Sequence, residues 1–339
     1  MGLETADNST SLNHQFFGKE AESTYEWKIS EDLRSVAQTE LREDDATREA
    51  ALEQLRNWIH THPLIKTCRT DSLFLLRFLR TKKFSIPQTQ EILERYLTIR
   101  QAYPVWFRGL SVDDKVVNDI LDSGYLVPLP QRDKNGHKVI LSSPGRLDSY
   151  KYSATDVIRT HSVVVEVLMD EEESQIKGFV YINDESGLQM SHLSMWSFSE
   201  LRRITKCIQN STPMRHKETH FINIPSFANK LIEFVISILS DKLKKRVKFH
   251  NSMEELKEHI DPKILPKEYG GVTPISDMIA EFKKMMVKHR DSVQSLDDMN
   301  ITLAKDSKGI VAALGDLADD EDLDVITGIS GSFRKLEVD

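Results

Sequence analysis

Thr219-His-Phe-Ile-Asn-Ile224, Ser226-Phe-Ala-Asn-Lys-Leu-Ile-Glu-Phe-Val-Ile-Ser-Ile-Leu-Ser240 and Val247-Lys-Phe-His250 follow one another closely in the chain. The outer two are short runs with β-branched and aromatic residues, and the middle one is long enough for several helical turns, so the stretch reads as strand, helix, strand. Such a unit calls for a parallel or mixed sheet flanked by helices, an α/β fold. The surrounding segment, Pro213 to His250, also concentrates positive charge. It holds eight basic residues (Arg215, Lys217, Lys230, Lys242, Lys244, Lys245, Arg246 and Lys248) against Glu218, Glu233 and Asp241. It is therefore +5 in a chain of formal charge −8, which leaves −13 on the remainder. A basic patch favours an anionic partner. Because seven of the nine residues from Leu231 to Leu239 are apolar, a lipid headgroup with its bilayer fits better than nucleic acid.

The alternation extends upstream, with a helix around Asp156 to Met169, a strand from Ile176 to Ile182 and a helix from Ser197 to Gln209. Tyr125 to Leu129 and Lys138 to Ser142 flank Asn135-Gly136, a pair that suits a tight hairpin turn. Ahead of these the rhythm is helical. Leu52, Leu55, Trp58 and Ile59 form one stripe, and Thr70-Asp71 opens a second helix through Leu73, Phe74, Leu76 and Leu79. Ser85-Ile-Pro-Gln88 reads as a capping box before a third, with Ile92, Leu93, Tyr96 and Leu97. Downstream, Ser252-Met-Glu-Glu255 reads as a second capping box and Gly270-Gly271 closes the region. A helix from Ser276 to His289 leads to a tail with Asp319-Asp-Glu-Asp322. The chain thus divides into a flexible extension (1–28), a helical domain (29–110), an α/β domain (111–275) and a terminal helix with an acidic tail (276–339).

A hydrophobic fraction of 39% and a charged fraction of 29% are ordinary for a folded protein. Cys68 and Cys207 have no ligand spacing and follow no apolar signal, which points to a reducing, cytoplasmic setting. No apolar run approaches the roughly 20 residues that span a bilayer, so membrane contact is expected to be peripheral. Ala6 stands where a myristoylation signal wants Ser or Thr, and the acidic net charge argues against nucleic-acid binding. Neither phosphate-cradling glycine loop is present, nor a Gly-x-Ser-x-Gly elbow, so no cofactor and no hydrolase nucleophile is expected. The pairs His60/His62 and His216/His220 lack the partners of a tetrahedral site, and no metal is expected. Asp170-Glu-Glu-Glu173 reads as a solvated loop at a helix end.

Arg215 and Lys217, two apart, would share one face of an extended segment, and Lys242 and Arg246, four apart, one face of a helix. Two such pairs could hold a polyphosphorylated headgroup, Arg by a bidentate fork and Lys as a point charge. The alternative is a solvated surface that balances nearby acids. The run 231–239 is too apolar for one stripe of a surface helix. It suits either a core helix or a lid over an apolar cavity that meets lipid when it opens.

Ser72-Leu-Phe-Leu-Leu-Arg-Phe-Leu-Arg80 with Phe84, Gly178-Phe-Val-Tyr-Ile-Asn-Asp-Glu-Ser-Gly187, the segment Pro213 to Asn223 and Leu265-Pro-Lys-Glu-Tyr-Gly-Gly271 together resemble the CRAL-TRIO family. These lipid carriers include α-tocopherol transfer protein, cellular retinaldehyde-binding protein and the clavesins, and the resemblance spans roughly residues 45 to 290. The ending Gly331 to Asp339 is similar to that of insect members. The resemblance implies an N-terminal three-helix bundle followed by a mixed-sheet lipid-binding domain, closed by a mobile gate helix at about Asn223 to Arg246. It places phosphatidylinositol phosphate binding on Arg215, Lys217, Lys242 and Arg246. It also suggests walls for a ligand cavity: Ile158, His161, Ser162 and Val165 from one helix face; Phe179, Asn183, Trp196, Ile204, Cys207, Ile208 and Met214; and Phe227, Leu231, Phe234, Val235 and Ile238 from the gate. Asn183 departs from the apolar or aromatic residue often found there, so tocopherol or retinaldehyde specificity does not carry over. The reading is a non-enzymatic carrier of a hydrophobic small molecule, cytoplasmic and transiently on endosomal or other phosphoinositide-bearing membranes. A protein-binding scaffold with a vestigial cavity is the alternative. An α/β enzyme would require Asp184 or His161 to be perturbed in an open polar cleft.

Overall fold

The computed structural model describes residues 16–17 and 26–303. The expectations for the rest of the N-terminal extension, the acidic run Asp319 to Asp322 and the ending Gly331 to Asp339 lie outside the described residues. The strands are β1 (Phe16–Phe17), β2 (Ile65–Arg69), β3 (Leu126–Pro128), β4 (Lys138–Ser142), β5 (Phe179–Asp184), β6 (His216–Ile222), β7 (Val247–His250) and β8 (Asn300–Ile301). The main sheet runs in the order β3-β4-β5-β6-β7, with β3 antiparallel to β4 and the other neighbours parallel. All of β4 is buried, and β5 buries Phe179, Val180 and Ile182, as parallel strands covered on both faces must.

The helical leader holds α1 (Glu31–Val36), a π-helical segment Ala37–Leu41, α2 (Asp45–Thr61), α3 (Ser72–Thr81), α4 (Ile86–Ala102), α5 (Pro104–Phe107) and α6 (Lys115–Asp122). Asp44 and Asp71 cap α2 and α3 by accepting from the amides of Thr47 (2.7 Å) and Phe74 (3.0 Å). Leu52, Leu55 and Ile59 meet Phe74, Phe78 and Tyr96 in one cluster. Ser85 sits at the N-cap of α4 without a side-chain bond to the helix, so the capping box read there is not formed. Pro87 in the first turn presets the helix instead. Phe16–Phe17 pairs with β2, so this part of the extension read as mobile is an added parallel strand.

In the second half the helices are α7 (Ala154–Leu168), α8 (Glu172–Lys177), α9 (Met190–Ser194), α10 (Phe198–Ser211), α11 (Asn229–Ile238), α12 (Asp241–Lys244), α13 (Met253–His259), α14 (Ile275–Lys288) and α15 (Arg290–Gln294). Complete capping boxes start α7 (Ser153 with Asp156) and α10 (Ser197 with Glu200). At α13, Ser252 caps the helix, but the Glu255 carboxylate accepts from the amide of Asn251. The strand read from Ile176 begins later, because Ile176 lies on α8. Gly178 ends that helix at φ +94, and a Cβ there would meet the Arg215 carbonyl oxygen at 2.4 Å, so only glycine serves. The β3–β4 connection is longer than a two-residue hairpin. Gly136 alone takes positive φ, and the Asp133 carboxylate organises the turn by accepting from the amides of Asn135 and His137.

The acidic run is solvated only in part: Asp170 is buried and Glu171 and Glu172 half-buried, while Glu173 is exposed. Arg77 and Arg80 of α3 are fully buried, and Arg77 reaches Asp170 and Glu166 while Arg80 reaches Glu43 and Glu172. Burying two guanidinium groups demands this much counter-charge, and the pairs lock the helical leader to α7 and α8. At the far end β8 pairs with β2, so the last described residues return to the leader.

Candidate functional site

A cavity of about 490 Å³ lies between the sheet, α7, α10 and α11. Its floor comes from one face of β5 and β6, where Tyr181 and Asn183, and Thr219 and Phe221, each recur two apart. One wall is the α7 face of Ile158, His161, Ser162 and Val165, and a second carries Trp196, Leu201, Ile204 and Ile208, with Met214 beyond. The roof is α11 with the residue after it, through Leu231, Ile232, Val235, Ile236 and Leu239.

Five of the residues read as walls stand elsewhere. Phe179 is buried in the main core, beyond an irregularity in the β5–β6 register. Cys207 is buried in the packing of α10 against Tyr103 and Trp106. Phe234 meets the Phe198 ring edge-on at 4.7 Å, outside the lining with Ile238. Phe227 is 44% exposed, on a 3-10 turn that precedes the helix. The lining of Ile232, Ile236 and Leu239 went unread, because a helix apolar nearly all round gives no single stripe by which to phase it.

The roof is lightly held. No residue of α11 is buried. Gln209 on α10 spans its C-terminal end, donating to the Ile238 carbonyl (3.3 Å) and accepting from the Ser240 amide (3.1 Å). The expected helix from 226 to 240 and onward is broken at Leu239–Ser240, so α12 is a separate short turn.

The polar lining is sparse. His161 shares a hydrogen bond with the Tyr125 hydroxyl at 2.9 Å, and burial pushes its imidazole down to about 4. Ser162 donates to the Ile158 carbonyl (2.8 Å), an internal helix contact. Glu185, just past β5, also lines the cavity, and burial together with Asp184 pushes its carboxyl up to about 7. Asp184 faces away from the cavity lining. It accepts from the Tyr269 hydroxyl (2.7 Å), the Ser186 hydroxyl (2.9 Å) and the Asn223 amide (2.8 Å), and Asn223 takes a left-handed φ of 56 beside it. Asp184 therefore ties Asn223, ahead of α11, and the Tyr-Gly-Gly turn to the sheet.

The four cations gather around the start of β6 and the turn after α12. Arg215 and Lys217 both reach Glu40, at 2.8 and 3.2 Å, and Arg215 also donates to the Ile176 carbonyl (2.7 Å). Arg246 donates to the His216 carbonyl. It lies beyond the C-cap of α12, so it and Lys242 do not share a face of one helix. Lys242 is pushed down by burial and then by Arg246, Lys83 and Arg215, the mark of cations crowded together. Lys83 comes from the α3–α4 turn, and nothing in its local sequence marked it. Glu40 is the counter-ion: burial raises its carboxyl, but Lys217 and Arg215 outweigh that and hold it below the usual range.

His216 and His220 do not pair. His220 instead contacts His250 at 2.8 Å, with the His259 ring tilted against both. Among the described residues no group of His, Cys, Asp and Glu is arranged to hold a metal, and no helix is long and apolar enough to cross a membrane.

A mixed α/β sheet, a helical leader and a helix-roofed apolar cavity beside clustered cations define the class. The chain belongs to the CRAL/TRIO family. The CRAL/TRIO domain matches residues 122–271, and the Pinta-like UBA domain matches residues 44–115. The chain is 35% identical over 240 residues to Clavesin-1 of Xenopus laevis, covering 70% of this chain and 72% of that protein. It is 29% identical over 284 residues to Clavesin-2 of Homo sapiens, covering 83% and 86%. The crystal structure of Sfh5 aligns with a TM-score of 0.47 at 12% identity, covering 73% of this chain and 99% of that one.

Proposed function

We propose that this protein is a carrier that holds one hydrophobic small molecule beneath α11 and exchanges it at membranes bearing phosphatidylinositol phosphates. The observation that carries the reading is an apolar cavity of about 490 Å³ under a helix with no buried residue of its own. That volume is ample for a small lipid, and such a roof can swing away without dismantling the core. Lifting five half-covered aliphatic side chains into water costs about 5 kcal/mol, at roughly half of the 1.5–3 kcal/mol for a fully buried one. Lipid tails remove that cost. Arg215, Lys217, Lys242 and Arg246 contribute about 1 kcal/mol each at an anionic leaflet. The two terms together suffice to shift a closed lid to an open one.

The four cations are the proposed headgroup site, with Lys83 added to them. Phosphoinositides face the cytosol, so endosomal or other membranes carrying them are the proposed place of exchange. No bond need be made or broken, and Asp184 is engaged in holding Asn223 and Tyr269. Transfer of a fluorescent lipid between vesicles with and without phosphatidylinositol phosphates tests the proposal. Phosphoinositide should accelerate transfer by the native chain and not by the Arg215/Lys217/Lys242/Arg246→Ala variant. Equal rates for the two proteins on both vesicles would refute it.

A further inference from the structure

Glu185 is a carboxyl the fold makes no use of. It is 8% exposed, it lines the cavity, and its side chain has no hydrogen-bond or ion-pair partner among the described residues. Its neighbour Asp184 is held by four donors, whereas the Glu185 carboxyl opens onto a largely apolar cavity. An unsatisfied buried carboxyl is costly and persists in a native structure when something absent from the bare chain satisfies it.

The surroundings of Glu185 show which end of a ligand it would meet. Asn183 lines the same cavity two residues earlier, in register with Ser142 on β4. The Tyr125 phenol, bonded to His161, is close enough to feel the Glu185 charge after the larger effects of its own burial and of a hydrogen bond with Ser142. Asn183, Glu185 and the Tyr125–His161 pair therefore share the region where β4 and β5 end; Tyr96, Arg100 and Glu166 on α4 and α7 are a second polar group already engaged, Glu166 with Tyr96 and Arg77 and Arg100 with Asp297 at 3.6 Å, while the roof offers only aliphatic side chains. The cavity has the polarity of an amphiphile with a small head and a long apolar body.

On the carrier reading, we propose that Glu185 selects a ligand whose polar end is an uncharged hydrogen-bond donor, an alcohol, over the same chain ending in a carboxylate. A hydroxyl donates to the free carboxyl oxygen. A carboxylate would set a second anion against Glu185 and Asp184 in a buried site, where like charges strongly disfavour one another.

The full-length chain, stripped of lipid and loaded with Nile red, is titrated with hexadecanol and with hexadecanoate at about pH 8. Hexadecanol should displace the dye at about tenfold lower concentration or better, the equivalent of one decade in Kd. In Glu185→Leu the preference should fall to within about threefold, with the isosteric Glu185→Gln retaining hexadecanol binding and gaining hexadecanoate. Equal displacement by the two ligands in the native chain overturns the assignment and leaves the carrier reading standing. So does a preference unchanged in Glu185→Leu. Failure of Nile red and of both amphiphiles to bind overturns the carrier reading and this assignment with it.

Discussion

Arg77→Met should cost about 3 kcal/mol of stability, and the deficit should shrink in acid. The Arg77 side chain is 1% exposed, and its guanidinium donates to Glu166 (2.7 Å) and to Asp170, 89 and 93 residues along the chain. Methionine keeps much of the stem and removes the cation, leaving both carboxylates buried. Removing one partner of a buried pair costs about 3–5 kcal/mol. The low end applies because Glu166 keeps the Tyr96 hydroxyl (2.7 Å), and Asp170 keeps the Ser292 hydroxyl (2.5 Å) and His289 (3.2 Å). Burial alone would raise the Asp170 carboxyl, but Arg77 foremost, with His289, Arg69 and Ser292, holds it well below its usual 3.8. Because the folded value is depressed, the native chain has this stabilisation in full above about pH 4 and loses it as pH falls through the lowered value. The variant lacks most of it at every pH, so the two proteins converge in acid. Urea denaturation at pH 7 and near pH 3 measures both effects. A deficit under about 1 kcal/mol at neutral pH, or one that does not narrow, would refute the argument.

Three further outcomes follow from the geometry. Glu185→Gln should stabilise the ligand-free chain with rising pH: the folded pKa of about 7 lies above the usual 4.5, so the native carboxyl loses stability across that window, and the gain should reach about 3 kcal/mol above it; equal melting shifts at pH 4 and pH 8 would contradict this. Glu40→Gln frees Arg215 and Lys217 from their shared counter-ion and should tighten binding to phosphoinositide vesicles about fivefold, about 1 kcal/mol, in a co-sedimentation assay; weakened binding would count against a headgroup site there. Gln209→Ala removes both bonds that span the end of the roof and should raise the rate of lipid release several-fold at little cost in melting temperature, since exchanged hydrogen bonds contribute about 1 kcal/mol each; an unchanged rate would show that the roof is held elsewhere.

Most of the sheet was legible because apolar runs punctuated by helices mark its strands. Val247–His250 is an instance: four residues, found where the alternation required a last parallel strand. β6 begins at His216, earlier than the Thr219 from which it was read, because its first residues, His-Lys-Glu, are polar. What could not be read depends on contacts across the chain. Asp170 to Glu173 has the composition of a solvated loop, and only partners distant in the chain (Arg77, Arg80, Arg132, His289 and Ser292) make it structural. Glu40 belongs to a π-helical turn with no motif of its own, yet it neutralises two of the four cations. The wall on α7 was readable because His161 and its neighbours recur at helical spacing. Glu185 was not legible because the strand periodicity that marks Asn183 ends at Asp184.

On the proposed function, the cavity beneath α11 holds a lipid. Native mass spectrometry of the full chain purified without detergent, followed by organic extraction, tests it directly. One hydrophobic molecule per chain should be retained, and it should be lost in Val235→Trp, which fills the space beneath the roof. A native chain that carries no extractable lipid and takes none up from vesicles, or a Val235→Trp variant with the same cargo, would contradict the account.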